Sequence, residues 1–539
     1  MPSLPATPAI RAPRWLAPAF FGGLLLLGAW LVTDYGVSWD EPVDHLNGLV
    51  SLRHITTLVA PEWAARQPLL QQVPPLAGYV DNDHGVLFEL PLALLHTTLR
   101  SGSDLRTYYL WRHMATFVVC VGGIWALYRL ALLRFRNQYV ALFTALLFVL
   151  SPRMFAESFY NAKDLVFLAA FTLGMYTLAR LLERPTPGRA LVHGLASAVA
   201  LDIRILGSML VPFTLVLLLL EAIQPTQQRL KRARLGASGA VYLLSTVGAG
   251  IAGWPYLWAA PLDNFLQAFE AMRHFRWQGK VLYWGEYESA QDLPWHYAPV
   301  WLLVTTPLSY SLAALGGLLL QIRQVCTRPR TVLGTYTGRL DLLFCGWLLG
   351  PMILVIGMNS VLYDGWRHLY FVYPALLLLA VGAGVRLWRW AGQATRRRRI
   401  MQAAAGAVTL EMAFTAVRMA LMHPQQQVYF SFLPTHKVEQ WFERDYWGLS
   451  YRQGLEYLAR TYPQGPILVD PQHIPPFENN RALLPPADRQ RFVVSETAPG
   501  RFLLLDYRSQ AGTVVTPTGW EVYRVTADGL PILSIYQHP

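Results

Sequence analysis

Several short stretches of this chain gather carboxylates, guanidinium groups and a lysine in patterns that could do chemistry. Asp40 and Glu41 are adjacent in SWDEP, with Asp34 and Asp44 close by, and Asp81, Asp83 and His84 follow in DNDHG. SPRMFAESFYNAKD supplies Arg153, Glu157, Lys163 and Asp164, LDIR supplies Asp202 and Arg204, and YDGWRH supplies Asp364, Arg367 and His368. A carboxylate can act as a general base toward a hydroxyl or an amine. Arginine and lysine can hold a phosphate and stabilise negative charge developing on a leaving group. Together they fit group transfer from a phosphate-bearing donor to a hydroxyl or amine acceptor.

The elements that must position these groups are membrane helices. Of the 539 residues, 53% are hydrophobic and 14% charged, against about 25% charged in soluble proteins. The apolar residues come in long blocks, and a span needs about 20 of them. About eleven blocks read as spans: roughly 15–33, 108–130, 138–152, 165–183, 189–203, 205–222, 236–254, 298–322, 340–358, 369–388 and 400–421. The first has no small-residue cleavage site before Asp34 and reads as a retained span.

Charge assigns the sides. Arg134, Arg136, Arg184, Arg189, Arg229, Lys231, Arg232, Arg234, Arg323, Arg328, Arg330 and the run Arg396 to Arg399 all fall on one side of the eleven spans. Basic loops are cytoplasmic. The N-terminus, with Arg11 and Arg14, then lies in the cytoplasm, and the tail lies outside a cytoplasmic (inner) membrane. Topology thus accounts for the net charge of +12, and no nucleic-acid partner is implied. The chemistry-bearing stretches all lie at the outer edge of the bilayer, where the phosphate would belong to a lipid.

Two domains are expected. Residues 1–423 form a helical membrane domain with a long first outer loop, 34–107, that includes an interfacial helical piece at Val86–Leu99. Residues 424–539 change character: apolar runs shorten to strand length in ILVD, FVVSE, RFLLLD and EVYRV, with a helix around Tyr451–Tyr462, the pattern of a small α/β domain outside the membrane. The Trp and Tyr between 254 and 301 suit an interfacial belt first and stacking on a sugar ring second. Gly248, Gly250 and Gly253 spell G-x-G-x-x-G inside an apolar span with no preceding strand, which is helix packing rather than a dinucleotide site.

Taken singly, these charges have plainer uses. Asp and Arg at span ends are ordinarily paired, snorkelling or solvated. Asp202 and Arg204 could pair across a turn. His45 and His84 read as hydrogen-bonded loop histidines, since no ligand spacing around them suits a metal.

The order and common side of the motifs resemble the GT-C class of membrane glycosyltransferases that use polyprenyl-phosphate sugars, such as the protein O-mannosyltransferases and the lipid A aminoarabinose transferases. The likeness runs through SWDEP after the first span, SPRMFAESFYNAKD before the fourth, WRHLYFVYPALLLL, and HPQQQVYFSF with DYWGLSYRQGLEYL at the start of the tail. The resemblance implies a catalytic base at Asp40, a shaping or acceptor-contacting role for Glu41, and an organising acid at Asp164. Arg367 and His368 match a family-like position for binding the donor phosphate; charge and side alone add Arg153, Lys163 and Arg204. It implies a polyprenyl-phosphate sugar as donor, a protein, lipid or glycan as acceptor, and membrane lipids as surroundings. No cofactor or metal site is expected, although a divalent ion could sit between Asp40 and Asp164. The rival from another class is a transporter or flippase of a lipid-linked substrate, and a third reading is a non-catalytic assembly subunit. The transporter accounts less well for acids concentrated in outer loops, and transporters carry inverted repeats not visible in this sequence.

Overall fold

The computed structural model describes residues 13–98, 104–223, 229–392, 394–495, 500–508 and 519–538. Arg11, expected in the cytoplasm, and residues 99–103 of the first outer loop lie outside them. All eleven apolar blocks are helical. Seven helices among the described residues are long and apolar enough to cross a membrane: Leu105–Phe135, Asp164–Glu183, Ile205–Ala222, Arg232–Gly253, Tyr336–Gly357, Arg367–Ala391 and Thr395–Met422. The chain is a multi-pass membrane protein. Gln138–Val149 and Pro152–Tyr160 make an eighth crossing if taken as one span, bent by 71°. Leu16–Leu31 and Pro187–Leu201 are shorter, at 16 and 15 residues. The expected span at 298–322 is broken into Tyr297–Thr305 and Leu308–Thr327. Pro307 at the break has no N–H to continue the first helix.

Helix Asp164–Glu183 lies at the centre of the bundle, with 89% of its apolar window buried. It packs against Leu105–Phe135 on one side and Pro187–Leu201 on another. The glycine motif lies in Arg229–Gly253, where a methyl on Gly250 would meet Leu201 and one on Gly253 would overlap Asp202. The small residues therefore serve close helix approach.

The long segment 34–107 after the first apolar block folds into the helices Glu41–Val59, Pro61–Ala65, Pro68–Gln71 and Glu89–Thr98. Asp40 sits at the start of the first of these, with Pro42 in the first turn. Glu41 and Asp44 occupy that turn, where helix backbone dipoles favour negative charge. Residues 280–289 form a hairpin of strands Lys280–Tyr283 and Glu286–Ser289. Its turn uses positive φ at Trp284 and Gly285, as tight hairpins require.

The tail carries a five-stranded sheet in the order Phe492–Val494, Ile467–Pro471, Phe502–Asp506, Leu530–Gln537, Trp520–Ala527. The first two pairings are parallel and the last two antiparallel. Helix Ser450–Thr461 packs on the last two strands of that order. Hydrogen bonds to the backbone of residues 37–39 join the tail to segment 34–107. Trp39 N–H donates to Trp447 O (3.1 Å) and Val37 N–H donates to Asn480 Oδ1 (3.0 Å).

Candidate functional site

Three breaks between helices meet at one place. The first is the start of Glu41–Val59, which presents Asp40. The second is the turn between Pro152–Tyr160 and Asp164–Glu183, which presents Lys163 and Asp164. There Asn161 caps the next helix, its Oδ1 accepting from Asp164 N–H at 2.8 Å. The third is the turn at Asp364 and Gly365, both at positive φ, from which a 3-10 turn, Arg367–Val372, launches the following span. Positive φ costs glycine nothing and suits Asp better than most residues. This turn faces Arg367 into the protein, where its side chain is 2% exposed.

Arg367 is the hub. One of its terminal nitrogens lies 2.8 Å from Asp40 Oδ2 and 3.4 Å from Asp164 Oδ2, and the other lies 3.2 Å from Asp364 Oδ2. The remaining oxygen of Asp164 is 2.8 Å from Arg204. Arg204 therefore pairs across the bundle with Asp164, not across its own turn with Asp202. Lys163 Nζ is 3.3 Å from Asp44. The guanidinium of Arg367 is also packed between the Tyr363 and Trp447 rings, each 4.8 Å away.

Asp40, Lys163, Arg204, Arg367 and His368 all line a single cavity. The rest of its lining is largely apolar and includes Met272 in the last turn of helix Pro261–Arg273, Phe275 just beyond it, and Leu354, Val355 and Met358 at the end of Tyr336–Gly357. The cavity thus combines basic groups with a hydrocarbon lining. His368 is half-buried there, and its buried Nδ1 has no hydrogen-bond partner among the described residues. A third of the Asp40 side chain, 33%, stays exposed. Burial alone would push the Asp40 carboxyl up, but the charges of Arg367 and Lys163 outweigh it and hold the group below the usual carboxylate range. Asp44 goes the other way: burial pushes it up to about 6 against the pull of Lys163.

The remaining expected residues take other places. Glu41 is buried and does not line the cavity. It accepts from Ser38 N–H at 2.7 Å and lies 3.4 Å from Arg112 and 3.0 Å from His113. It thereby fixes the turn that presents Asp40. Asp164 lies behind Arg367 and Arg204 rather than in the lining. Arg153 is not brought into the cavity: it is buried among the Trp301, Phe430 and Tyr446 rings. His45, on the helix Glu41–Val59 rather than a loop, lies 3.0 Å from His96 and 2.6 Å from the Tyr108 hydroxyl. His84 pairs with Asp83 at 3.0 Å, and both of these do line the cavity.

Three participants escaped the sequence reading. Arg112 is fully buried in the span Leu105–Phe135 and is paired with Glu89, Glu41 and Asp44. A charge inside an apolar block was its signal. Tyr363 lines the cavity beside Arg367. Arg508 of the tail lies 2.8 Å from Asp364, and no motif around it announces that contact.

Residues 110–249 match the family model described as dolichyl-phosphate-mannose-protein mannosyltransferase. That segment carries Lys163, Asp164 and Arg204, while Asp40 and Arg367 lie outside it. The match supports a membrane glycosyltransferase of the GT-C class. No curated protein matches the chain. Among solved structures, ArnT from Cupriavidus metallidurans bound to undecaprenyl phosphate is similar at 14% identity, over 97% of this chain and 98% of that one, with a TM-score of 0.49. The Archaeoglobus fulgidus oligosaccharyltransferase in complex with Zn and sulfate is similar at 11% identity, over 82% of this chain and 56% of that one, with a TM-score of 0.45. Both scores lie below 0.5.

Proposed function

We propose that this protein transfers a sugar, with inversion, from a polyprenyl-phosphate donor to an acceptor on the outer face of the membrane. The observation that carries the proposal is one cavity lined by the carboxylates of Asp40 and Asp83, by Lys163, Arg204, Arg367, His84 and His368, and otherwise largely by apolar side chains. The donor phosphate would lie against Arg204, Lys163, Arg367 and His368. Its isoprenoid chain would run along Met272, Phe275, Leu354 and Met358. Asp40 would take the proton from the acceptor hydroxyl or amine as that atom bonds to the anomeric carbon. The bond from that carbon to the phosphate oxygen breaks on the opposite side, and polyprenyl phosphate leaves with the electron pair, its charge met by the arginines. A single displacement of this kind inverts the anomeric centre. Low dielectric at the site strengthens each of these charge interactions.

The direct test is a release assay. Purified protein in lipid is given a panel of polyprenyl-phosphate sugars with envelope extract as acceptor, and free polyprenyl phosphate is followed by mass spectrometry. Release that depends on Asp40 is expected. No release from any donor would favour the transporter.

Arg204→Ala and Lys163→Ala are each expected to raise the donor KM by about 10- to 100-fold, the worth of one charge-assisted hydrogen bond to phosphate. The acceptor KM should stay near its wild-type value. A rise in acceptor KM alone would move the phosphate elsewhere.

We also propose that transfer needs no divalent ion. Arg367 stands between Asp40 and Asp164, 2.8 and 3.4 Å away, and supplies positive charge where a metal would bridge two carboxylates. Release is expected to persist in EDTA, and abolition that added Mg²⁺ or Mn²⁺ reverses would refute this.

A further inference from the structure

The tail domain holds the segment that carries Asp40 from two directions. Along the backbone, Trp447 and Asn480 pair with Trp39 and Val37, and Asn479 Nδ2 donates to Ser38 O at 3.0 Å. At the side chain, the Arg508 guanidinium lies over the Trp39 ring, 4.8 Å from its centroid. His473 meets the same indole edge-on at 5.5 Å. Trp39 directly precedes Asp40.

Arg508 also enters the charge cluster. It donates to Asp364 Oδ1 at 2.8 Å, and the other oxygen of Asp364 is 3.2 Å from Arg367. Arg367 in turn holds Asp40. Arg508 is itself anchored just after strand Phe502–Asp506: its N–H donates to Asp506 Oδ1 at 3.2 Å, and Asp506 Oδ2 accepts from the Tyr451 hydroxyl at 2.9 Å.

The charge arrangement gives this contact a consequence. Arg367 faces three carboxylates, Asp40, Asp164 and Asp364. Arg508 takes one oxygen of Asp364, so the third carboxylate does not draw on Arg367 alone. Arg367 is then left to aim one nitrogen at Asp40 and Asp164 together. We infer that Arg508 is a positioning residue of the transfer reaction, holding Asp40 through Asp364 and Arg367 and through the Trp39 ring, so that the tail domain completes the active site. This rests on the transferase proposal above.

The test uses the full chain in lipid nanodiscs, with Arg508→Ala and Arg508→Lys beside wild type. Arg508→Ala is expected to lower turnover by about 10- to 100-fold, the scale of a displaced catalytic group, with the donor KM little changed. Arg508→Lys should restore part of the loss, since lysine keeps the charge on Asp364 but not the planar stack on Trp39.

The pH profile adds a second readout. Asp40 is faced by the cations Arg367, Lys163 and Arg508, by the Asp44 carboxylate and by Tyr363, and it shares Arg367 with Asp164 and Asp364. Removing one cation raises the Asp40 pKa, so the acid limb of turnover should move to higher pH. In hydrogen exchange, amides of residues 36–44 should exchange faster in Arg508→Ala while strands Phe502–Asp506 and Leu530–Gln537 keep their wild-type rates.

Wild-type turnover, acid limb and exchange in Arg508→Ala would overturn the inference while leaving the transferase proposal intact. Faster exchange throughout the tail strands, with no recovery in Arg508→Lys, would reduce Arg508 to a structural role and overturn it too. Absence of release by the wild-type protein would overturn the transferase proposal itself.

Discussion

Asp40→Asn is expected to lower sugar transfer by about 10²- to 10⁴-fold, the usual worth of a positioned general base, with fold and donor affinity preserved. Asparagine keeps the shape of the side chain, and its Oδ1 can still accept from Arg367, which lies 2.8 Å from Asp40 Oδ2. It loses the negative charge and with it the capacity to take a proton. The loss should therefore fall on turnover rather than on donor KM, and polyprenyl phosphate alone should bind no more weakly than to wild type. A pH profile sharpens the test. The base must be ionised to act, so turnover falls as pH drops through its pKa. Arg367 and Lys163, outweighing burial, hold the Asp40 carboxyl below its ordinary value. The acid limb of the wild-type profile should accordingly lie below the usual carboxylate range. A limb near pH 6 would instead point to Asp44, which burial pushes up to about 6. Wild-type transfer by Asp40→Asn would remove the base assignment outright.

Much of this site was legible because membrane helices announce themselves. An apolar block of span length shows in composition alone. With the blocks in order, Asp40, Lys163, Arg204, Arg367 and His368 fall at neighbouring ends, and the fold brings them to one cavity. What the sequence hid was pairing, which depends on three-dimensional neighbours rather than on spacing. Arg204 stands two residues from Asp202 and pairs with Asp164. Arg153 shares a motif with Lys163, yet the bend between Gln138–Val149 and Pro152–Tyr160 turns it into an aromatic cage. The interruption at Pro307 is visible in the sequence, but an uninterrupted hydropathy window conceals it. In the tail, strand Leu530–Gln537 went unread although Asp528 and Gly529 before it form the positive-φ turn typical of hairpins. Arg508 could not be found at all, because its partners Asp364 and Trp39 come from distant parts of the chain.

The larger structural effect is expected at Arg367. Three carboxylates lie within 3.4 Å of its guanidinium, and the side chain is 2% exposed. Truncating one partner of a buried ion pair leaves the others charged and poorly solvated, which typically costs about 3–5 kcal/mol. Arg367→Ala should thus melt well below wild type and transfer sugar about 10²- to 10³-fold more slowly, the scale of one lost electrostatic donor at a reacting centre. Arg367→Lys should recover part of the stability, because one ammonium restores the charge. It should recover little activity, because it cannot fork between Asp40, Asp164 and Asp364. A double variant separates the two roles. Adding Asp364→Asn to Arg367→Ala removes one of the stranded carboxylates and should raise the melting temperature toward wild type. It supplies no cation for the departing phosphate, so transfer should stay low. If the double variant regained activity in step with its stability, Arg367 would be a scaffold for the turn at Asp364 and the leaving group would have to be stabilised by Arg204 and Lys163 alone.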